Sequence, residues 1–235
     1  MDEIGVVAVL ADPVRRRLYD AVSAASAPIG REEAARLAGV PVHSARFHLD
    51  KLVGAGLLEA SYARLTDRTG PGAGRPAKLY RRTAAEVAVS LPQRSYELVG
   101  AVLAAALEKT LQGADVTAAL HEEARSHGRA LGTAYDGPGI GGAGGGAGRG
   151  AGGTGRELER VVGALAAEGY EPHLEDDEVC LRNCPFDALA SEHTALVCGV
   201  NLDFVTGVLD GLGCASARAR LQPDPEHCCV RVHGT

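Results

Sequence analysis

A glycine-rich segment at residues 137–155 constrains the fold of this chain more than any other feature. Twelve of its 19 residues are glycine, and glycine loses more conformational freedom on folding than any other residue, so a helix or strand is disfavoured there. The glycines lack the spacing of a phosphate-binding loop, and no Gly-Lys-Ser/Thr accompanies them. We therefore predict a flexible linker, with residues 156–235 forming a separate domain after it.

All the cysteines of the chain lie in that last domain. They are Cys180, Cys184, Cys198, Cys214, Cys228 and Cys229. The start of the sequence, MDEIG, lacks the basic and apolar regions of a signal peptide, and no apolar run approaches the roughly 20 residues that span a bilayer. We therefore expect a cytoplasmic protein that does not engage a membrane. Because disulfides rarely persist in the cytoplasm, clustered cysteines there favour metal binding or redox sensing.

Charge is distributed unevenly along the chain. Residues 1–83 carry 13 Lys and Arg against 9 Asp and Glu, a net charge of +4, whereas residues 84–235 carry 11 against 21, a net charge of −10. A mildly basic segment on an acidic protein is typical of a nucleic-acid contact that is confined to one domain.

Three helices are predicted in the first 54 residues. Apolar residues recur every three or four positions over 5–23, and Asp12-Pro13 should start a fresh helix within that range because Asp is a preferred N-cap and Pro a preferred first-turn residue. A second helix is predicted over 31–38 and a third over 42–54. Two helices joined by a turn of about three residues are the helix-turn-helix signature.

The third of these helices has an apolar and a polar face. Ala45, Leu49, Leu52 and Val53 should pack inward. The opposite face and its flanks would lie in the major groove of double-stranded DNA, where side chains read base edges. The predicted DNA-contacting residues on this helix are His43, Ser44, Arg46, Phe47, His48 and Lys51.

A wing is predicted to follow this helix. Strands over 58–65 and 77–83 flank a loop, TDRTGPGAGRP, at 66–76. Arg75 stands between Gly74 and Pro76, so a slim backbone can approach DNA and the guanidinium can enter a narrow minor groove. Arg68, Lys78 and Arg81 are predicted phosphate contacts. Residues 1–83 are thus predicted to be a winged helix-turn-helix DNA-binding domain.

Residues 84–136 are predicted to connect the two domains and to dimerise. Leu91-Pro92 suggests a hinge, and helical spacing of Leu and Ala then continues over about 93–131, with an interruption near Gly113. A long apolar helix that follows a wing commonly pairs with a second subunit.

The last domain is predicted to mix helices and strands, which makes the whole chain α+β. The predicted elements are a helix over 156–168, strands over 170–174, 178–183, 216–222 and 227–233, a helix starting at Cys184-Pro185, and a second helix through 199–211. Cys184 is expected to cap its helix, where the helix end and free amide groups lower the pKa of a thiol. An unbroken helix over 184–198 would separate Cys184 from Cys198 by about 21 Å, so we predict a break at Ser191-Glu-His-Thr.

The spacing of the cysteines is not the Cys-x2-Cys spacing of common zinc sites. Thiolates that arrive singly from separate elements can hold an iron–sulfur cluster or a structural zinc ion. Cys228 and Cys229 should point to opposite faces of a strand, so that one of them faces the site. Cys214 and Cys180 are alternatively read as buried structural cysteines, since free Cys packs well in cores.

Two resemblances add to this interpretation. The strings LADPVRRRLYDAV, ARFHLDKLVGAGLLE and GAGRPAKLYR resemble the winged-helix domain of ArsR- and DeoR-type bacterial repressors, which implies a homodimer on a palindromic operator. The string LRNCPFDALASEHTALVCGVNL, followed by a late cysteine, resembles the cluster-binding domain of SufR-like repressors of iron–sulfur assembly genes.

The second resemblance implies a [4Fe-4S] cluster held by Cys184, Cys198 and one of Cys228 or Cys229. The fourth ligand stays open among the other late cysteine, Cys180, His193 and an acidic side chain. The resemblance also implies that the cluster-loaded protein binds the operator and that the cluster-free protein releases it.

Other classes of protein remain alternatives. A zinc- or thiol-based metal or redox sensor could use the same domains. An enzyme or small-ligand receptor is disfavoured because the histidines are scattered and no Ser or Lys has the sequence context of a nucleophile. We therefore expect no enzymatic activity and no small-molecule substrate.

Overall fold

The computed structural model describes residues 3–63, 76–137, 153–224 and 227–235. The chain divides into two compact units, residues 1–89 and residues 90–235. The predicted linker falls almost wholly outside the described residues, as do the wing loop up to Arg75 and the side chains of Arg68 and Arg75. The predicted division into four segments stays a prediction.

The first unit has the element order of a winged helix. Its elements are α1 (Glu3–Val9), α2 (Pro13–Ser23), β1 (Ile29–Gly30), α3 (Arg31–Ala38), α4 (Val42–Gly54), β2 (Leu58–Ala63) and β3 (Ala77–Arg82). The strands form one antiparallel sheet in the order β1-β3-β2. The three helices and the returning strands therefore occur where the sequence predicts them, whereas the two-residue strand β1 was not predicted.

Local chemistry explains where these helices begin and end. The Asp12 carboxylate accepts hydrogen bonds from the backbone N–H groups of Val14 and Arg15, at 2.8 and 3.0 Å, and Pro13 occupies the first helical position. Gly39 ends α3 with a φ of 63°, a conformation that glycine adopts without a Cβ clash. The core of the unit lies between the helices and the sheet, where Leu18, Leu49 and Tyr80 are almost fully buried.

The described residues of the second unit form five helices and a four-stranded sheet. Its elements are α5 (Tyr96–Leu111), α6 (Val116–Ala134), α7 (Gly153–Ala167), β4 (Pro172–Glu175), β5 (Glu178–Leu181), α8 (Asp187–Glu192), α9 (Thr194–Leu212), β6 (Ala217–Leu221) and β7 (Val230–Gly234). All strand pairs are antiparallel, in the order β4-β5-β7-β6. Both predicted interruptions of helices are present, one near Gly113 and one at His193.

Helix α9 is the central helix of this unit. Its Phe204, Val205 and Val208 are buried in a core that also contains Leu165 of α7 and Val232 of β7. By length and composition alone, α9 is long and apolar enough to cross a bilayer, a test that the core helices of soluble proteins also pass. More than half of it is buried inside the unit, so packing in the core accounts for its apolar character.

Helices α6 and α9 touch through their backbones. A Cβ atom at Gly128 of α6 would lie 2.0 Å from the carbonyl oxygen of Phe204, and one at Gly207 of α9 would lie 2.1 Å from that of Arg125. Gly132 and Gly211 repeat the same contact one turn along. No larger residue fits at these positions without moving a helix, and an ion pair of Arg125 with Asp210 at 2.9 Å flanks the contact.

Candidate functional site

The outer face of α4 presents the predicted base-reading residues. His43, Arg46, Phe47 and Lys51 are exposed, Phe47 to 59%. The Lys51 ammonium lies 5.8 Å from the centre of the Phe47 ring. Ala45, Leu49 and Leu52 are buried on the other side. This face therefore has the exposed polar and aromatic side chains expected of a helix that enters the major groove.

Two of the predicted DNA-contacting residues of α4 are less exposed than the sequence predicts. Ser44 is half-buried, and its hydroxyl donates to the Pro41 carbonyl at 2.9 Å within the first helical turn. His48 is also half-buried, with its ring edge-to-face against Phe47 at 5.4 Å between centroids. Both residues thus help to shape the recognition face from its flanks.

The predicted phosphate contacts of β3 are held by carboxylates. The Lys78 ammonium lies 2.6 Å from Asp50 of α4, and the Arg81 guanidinium is paired with Glu59 of β2. The hydrogen bond to Asp50 raises the pKa of Lys78. Exposed ion pairs contribute only about 0–1 kcal/mol, so a DNA phosphate can displace either carboxylate. Arg68 and Arg75 lie outside the described residues.

Four cysteine thiols form one connected network in the second unit. The Cys184 and Cys228 side chains lie close enough to influence each other's pKa, and Cys229 interacts in the same way with Cys228 and with Cys198. These cysteines come from three separate segments: the loop between β5 and α8, helix α9, and the bend before β7. The fold therefore gathers all four of the predicted primary metal ligands at one place.

The structure corrects two expectations about these cysteines. Cys184 does not cap a helix, because Phe186 at φ −113° precedes α8, which begins only at Asp187. Cys228 and Cys229 do not alternate across a strand, because β7 begins at Val230. Backbone bonds from Cys228 N–H to Leu181 and from Gln222 N–H to Cys229 fix the bend that precedes it. Both cysteines consequently join the network.

The expected lowering of the pKa of Cys184 is also wrong. The interaction with Cys228, followed by burial, raises the pKa of Cys184, and the nearby Phe186 amide opposes this only in part. Burial raises the pKa of Cys198. At Cys228 the interaction with Cys184 lowers the pKa, but the interaction with Cys229 and burial bring it to about 11. Cys184, Cys198 and Cys228 are therefore thiols that must release protons when they bind a metal.

The alternative ligands lie apart from this network. Cys180 sits on β5 beside Glu178, with its sulfur 3.7 Å from the carboxylate. His193 is exposed at the junction of α8 and α9. The buried Cys214 follows the far end of α9, with its sulfur 4.0 Å from the Glu157 carbonyl oxygen.

A buried amide that sequence reasoning missed contacts the network. Asn201 of α9 is 1% exposed, and its Nδ2 donates to the Cys228 sulfur at 3.2 Å. The hydroxyl of the fully buried Tyr170 donates to its Oδ1 at 2.5 Å. The one available signal was a lone Asn inside the apolar run LVCGVNLDFV, because a buried polar side chain requires partners.

Arg94 forms a second unpredicted contact at this site. Its guanidinium Nη1 donates to the Cys184 carbonyl at 2.5 Å and to the Asn183 side chain at 2.9 Å, and Nη2 lies 3.4 Å from Asp187. Asn183 in turn donates to the Gln93 carbonyl at 2.8 Å. The chain at 93–94, just after the start of the second unit, is thereby tied to the loop that carries Cys184. We call this set of bonds the Arg94 clasp.

The thiol network does not yet have the geometry of a metal site. Among the described residues, no three Cys, His, Asp or Glu side chains are placed to hold one metal ion. Metal binding by these cysteines would require loss of the thiol protons and movement of the three segments that carry them.

Comparison with known proteins identifies the first unit. Residues 10–60 match a family model described as a helix-turn-helix domain. No curated protein and no solved structure matches the chain. The match covers α2 to β2, the elements that position the exposed face of α4. The protein is a DNA-binding transcription regulator with an N-terminal helix-turn-helix domain.

Proposed function

We propose that this protein is a cytoplasmic homodimeric repressor whose operator binding depends on a [4Fe-4S] cluster held by Cys184, Cys198, Cys228 and Cys229. One observation carries the proposal: four thiols from three separate segments meet in a single network. The resemblance of its sequence to SufR-like repressors supports iron–sulfur assembly genes as the targets. We propose no enzymatic activity.

The residues present fit such a group. Cysteine thiolates are the usual ligands of iron–sulfur clusters, and Cys184, Cys228 and Cys229 lie in or against the core that contains the buried Phe186 and Val197. An apolar surround limits the access of water to a metal site and influences its redox potential. When bound, the cluster would supply a group that responds to oxidation or to iron shortage.

The Arg94 clasp supports coupling between this site and DNA binding. Movement of the Cys184 loop on cluster binding would displace Arg94, because the guanidinium donates a hydrogen bond to the Cys184 carbonyl itself. The Ser95 N–H also donates to the Pro185 carbonyl at 3.1 Å. Residues 93–95 immediately precede α5 and lie a few residues after the first unit ends. The same residues thus connect to both the sensor loop and the chain that leads to the DNA reader.

Helix α5 supports the dimeric part of the proposal. Leu103, Leu107 and Leu111 are 42, 57 and 79% exposed and lie on one face at intervals of four residues. A second copy of the chain would remove these leucines from water, at about 25 cal/mol per Å² of apolar area. This is the segment for which the sequence predicts dimerisation.

The same four thiols also favour one alternative. Four cysteine thiolates complete the tetrahedral set of a structural zinc ion. A zinc- or thiol-based sensor on this scaffold is therefore our second candidate.

Anaerobic purification followed by assays of iron, acid-labile sulfide and zinc separates these candidates. A brown protein that absorbs near 400 nm, with about four iron and four sulfide per chain, supports the first; a colourless protein with one zinc supports the second. Gel-shift titrations of loaded and metal-free protein then test regulation. Equal operator affinity of the two forms would contradict it.

A further inference from the structure

The Asn201 amide is held in one orientation by two buried partners. Its Nδ2 lies 3.2 Å from the Cys228 sulfur and its Oδ1 lies 2.5 Å from the Tyr170 hydroxyl. A ligating thiolate can only accept hydrogen bonds, so the N–H side of the amide must face the sulfur. The Tyr170 hydroxyl then donates to the remaining oxygen, which leaves both ends of the amide satisfied.

Burial makes this contact strong and specific. Asn201 and Tyr170 are shielded from water, and the Tyr170 ring is fixed by Phe186 and Phe204 at centroid distances of 6.2 and 6.4 Å. A hydrogen bond in such surroundings is electrostatically stronger than one in water. Asn201 also lies on α9, three residues after Cys198, so the same helix supplies one ligand and a donor to another.

We propose that Asn201, oriented by Tyr170, is a positioning residue that donates a hydrogen bond to the Cys228 sulfur of the metal-loaded site. This inference rests on the proposed function, because it assumes that Cys228 ligates. The bond stabilises negative charge on that sulfur, and hydrogen bonds to the sulfurs help to set the reduction potential of an iron–sulfur cluster. Residues that support ligands from outside typically change metal affinity by about 10- to 100-fold.

The Asn201 amide is not the only group that stabilises charge on the Cys228 sulfur. Its removal should therefore have a limited effect on metal affinity. The backbone N–H of Val230 also lies close enough to Cys228 to lower its pKa. Loss of the Asn201 amide should therefore weaken metal binding without abolishing it, toward the lower end of that range, at about tenfold.

The test uses the full-length double variant Asn201→Leu/Tyr170→Phe. Leu is close to Asn in shape, and the second change removes the hydroxyl that would otherwise be buried without a partner. We expect about tenfold weaker binding of Zn²⁺ or Co²⁺, measured by competition with a chelator, and a lower reduction potential of the cluster in anaerobic electrochemistry. Thr206→Val, which removes a hydroxyl bonded within α9, is the control and should change neither quantity.

If the double variant does not fold, the single variant Tyr170→Phe can be measured in its place. It removes only the group that orients the amide, so it should shift affinity and potential in the same direction by a smaller amount. Folded variants with unchanged affinity and potential would overturn the role of Asn201. A wild-type protein that takes up neither metal nor cluster would instead overturn the proposed function, so the two failures are distinguishable.

Discussion

The two units differ in how far apart along the chain their functional residues lie. In the first unit, the exposed face of α4 comes from one helix of 13 residues, and the helix-turn-helix match spans 51. In the second, the thiol network joins residues 184 to 229 across three segments, and its supporting residues reach back to Arg94. A DNA-contacting face on one helix can be predicted from the spacing of residues in the sequence. A site made by contacts between distant residues can be described only when the fold is known.

The largest predicted effect is the loss of metal loading in the second unit when a cysteine of the thiol network is replaced. Cys184→Ser and Cys198→Ser should each prevent cluster or metal loading, because each removes one of the four gathered thiols. Cys214→Ser, outside the network, is the control and should load normally. Metal analysis and absorbance after anaerobic reconstitution measure this; full loading of both network variants would contradict the site.

A second change should unfold only the C-terminal unit. Gly128→Ala places a Cβ 2.0 Å from the Phe204 carbonyl oxygen, and overpacking of this kind costs about 3 kcal/mol. Gly100→Ala on α5 meets no atom within 4 Å and should stabilise by about 1 kcal/mol, the difference in helix propensity. Denaturant unfolding measures both. Equal stability of the two variants would show that the helices do not touch as described.

Removal of the Arg94 clasp tests whether metal loading in the second unit influences DNA binding by the first. Arg94→Ala removes charged hydrogen bonds to Asn183 and the Cys184 carbonyl, worth about 2 kcal/mol of stability. Metal content should be retained, while the difference in operator affinity between loaded and metal-free protein should shrink. Arg182→Ala, at an exposed neighbouring arginine, is the control. An undiminished difference in the Arg94 variant would exclude the clasp as the coupling path.

Substitutions in the DNA-binding residues of the first unit should leave metal binding by the second unit unchanged. Arg46→Ala and Arg75→Ala should each weaken operator binding by about 1 kcal/mol or more, with the Arg75 loss greatest at AT-rich operators. Metal content should not change. The exposed Arg220 on β6 provides the control, Arg220→Ala. Titrations at fixed salt in which both reader variants bind like the wild type would contradict this interface.

The smallest effect is expected from the glycine-rich linker. Deletion of five residues within 138–152 should alter neither metal content nor operator affinity, because the entropy of closing a flexible loop depends only weakly on its length. Loss of folding in thermal unfolding would assign the segment a structural role.

Most elements could be predicted because their signals are local. Asp12-Pro13 starts α2 through bonds within three residues, and the breaks at Gly113 and His193 follow from nearby residues. The cap at Cys184 was wrong because Pro185 and Phe186 form a turn, closed by a hydrogen bond from the Asp187 N–H to the Cys184 carbonyl at 3.2 Å, before α8 begins. Asn201, Tyr170 and Arg94 could not be predicted, since their partners lie 27 to 90 residues away.

The glycine contact between α6 and α9 has a consequence for movement. At the four glycines of this contact, a carbonyl of the opposite helix fills the place that a side chain would occupy, so a slide of less than a helical turn would drive backbone against backbone. Since α9 carries Cys198 near its start, a displacement of that thiol on loading would translate α6 with it as one body. If the proposed site is loaded, it would therefore alter the surface of α6 through α9, without direct contact between that surface and the thiols.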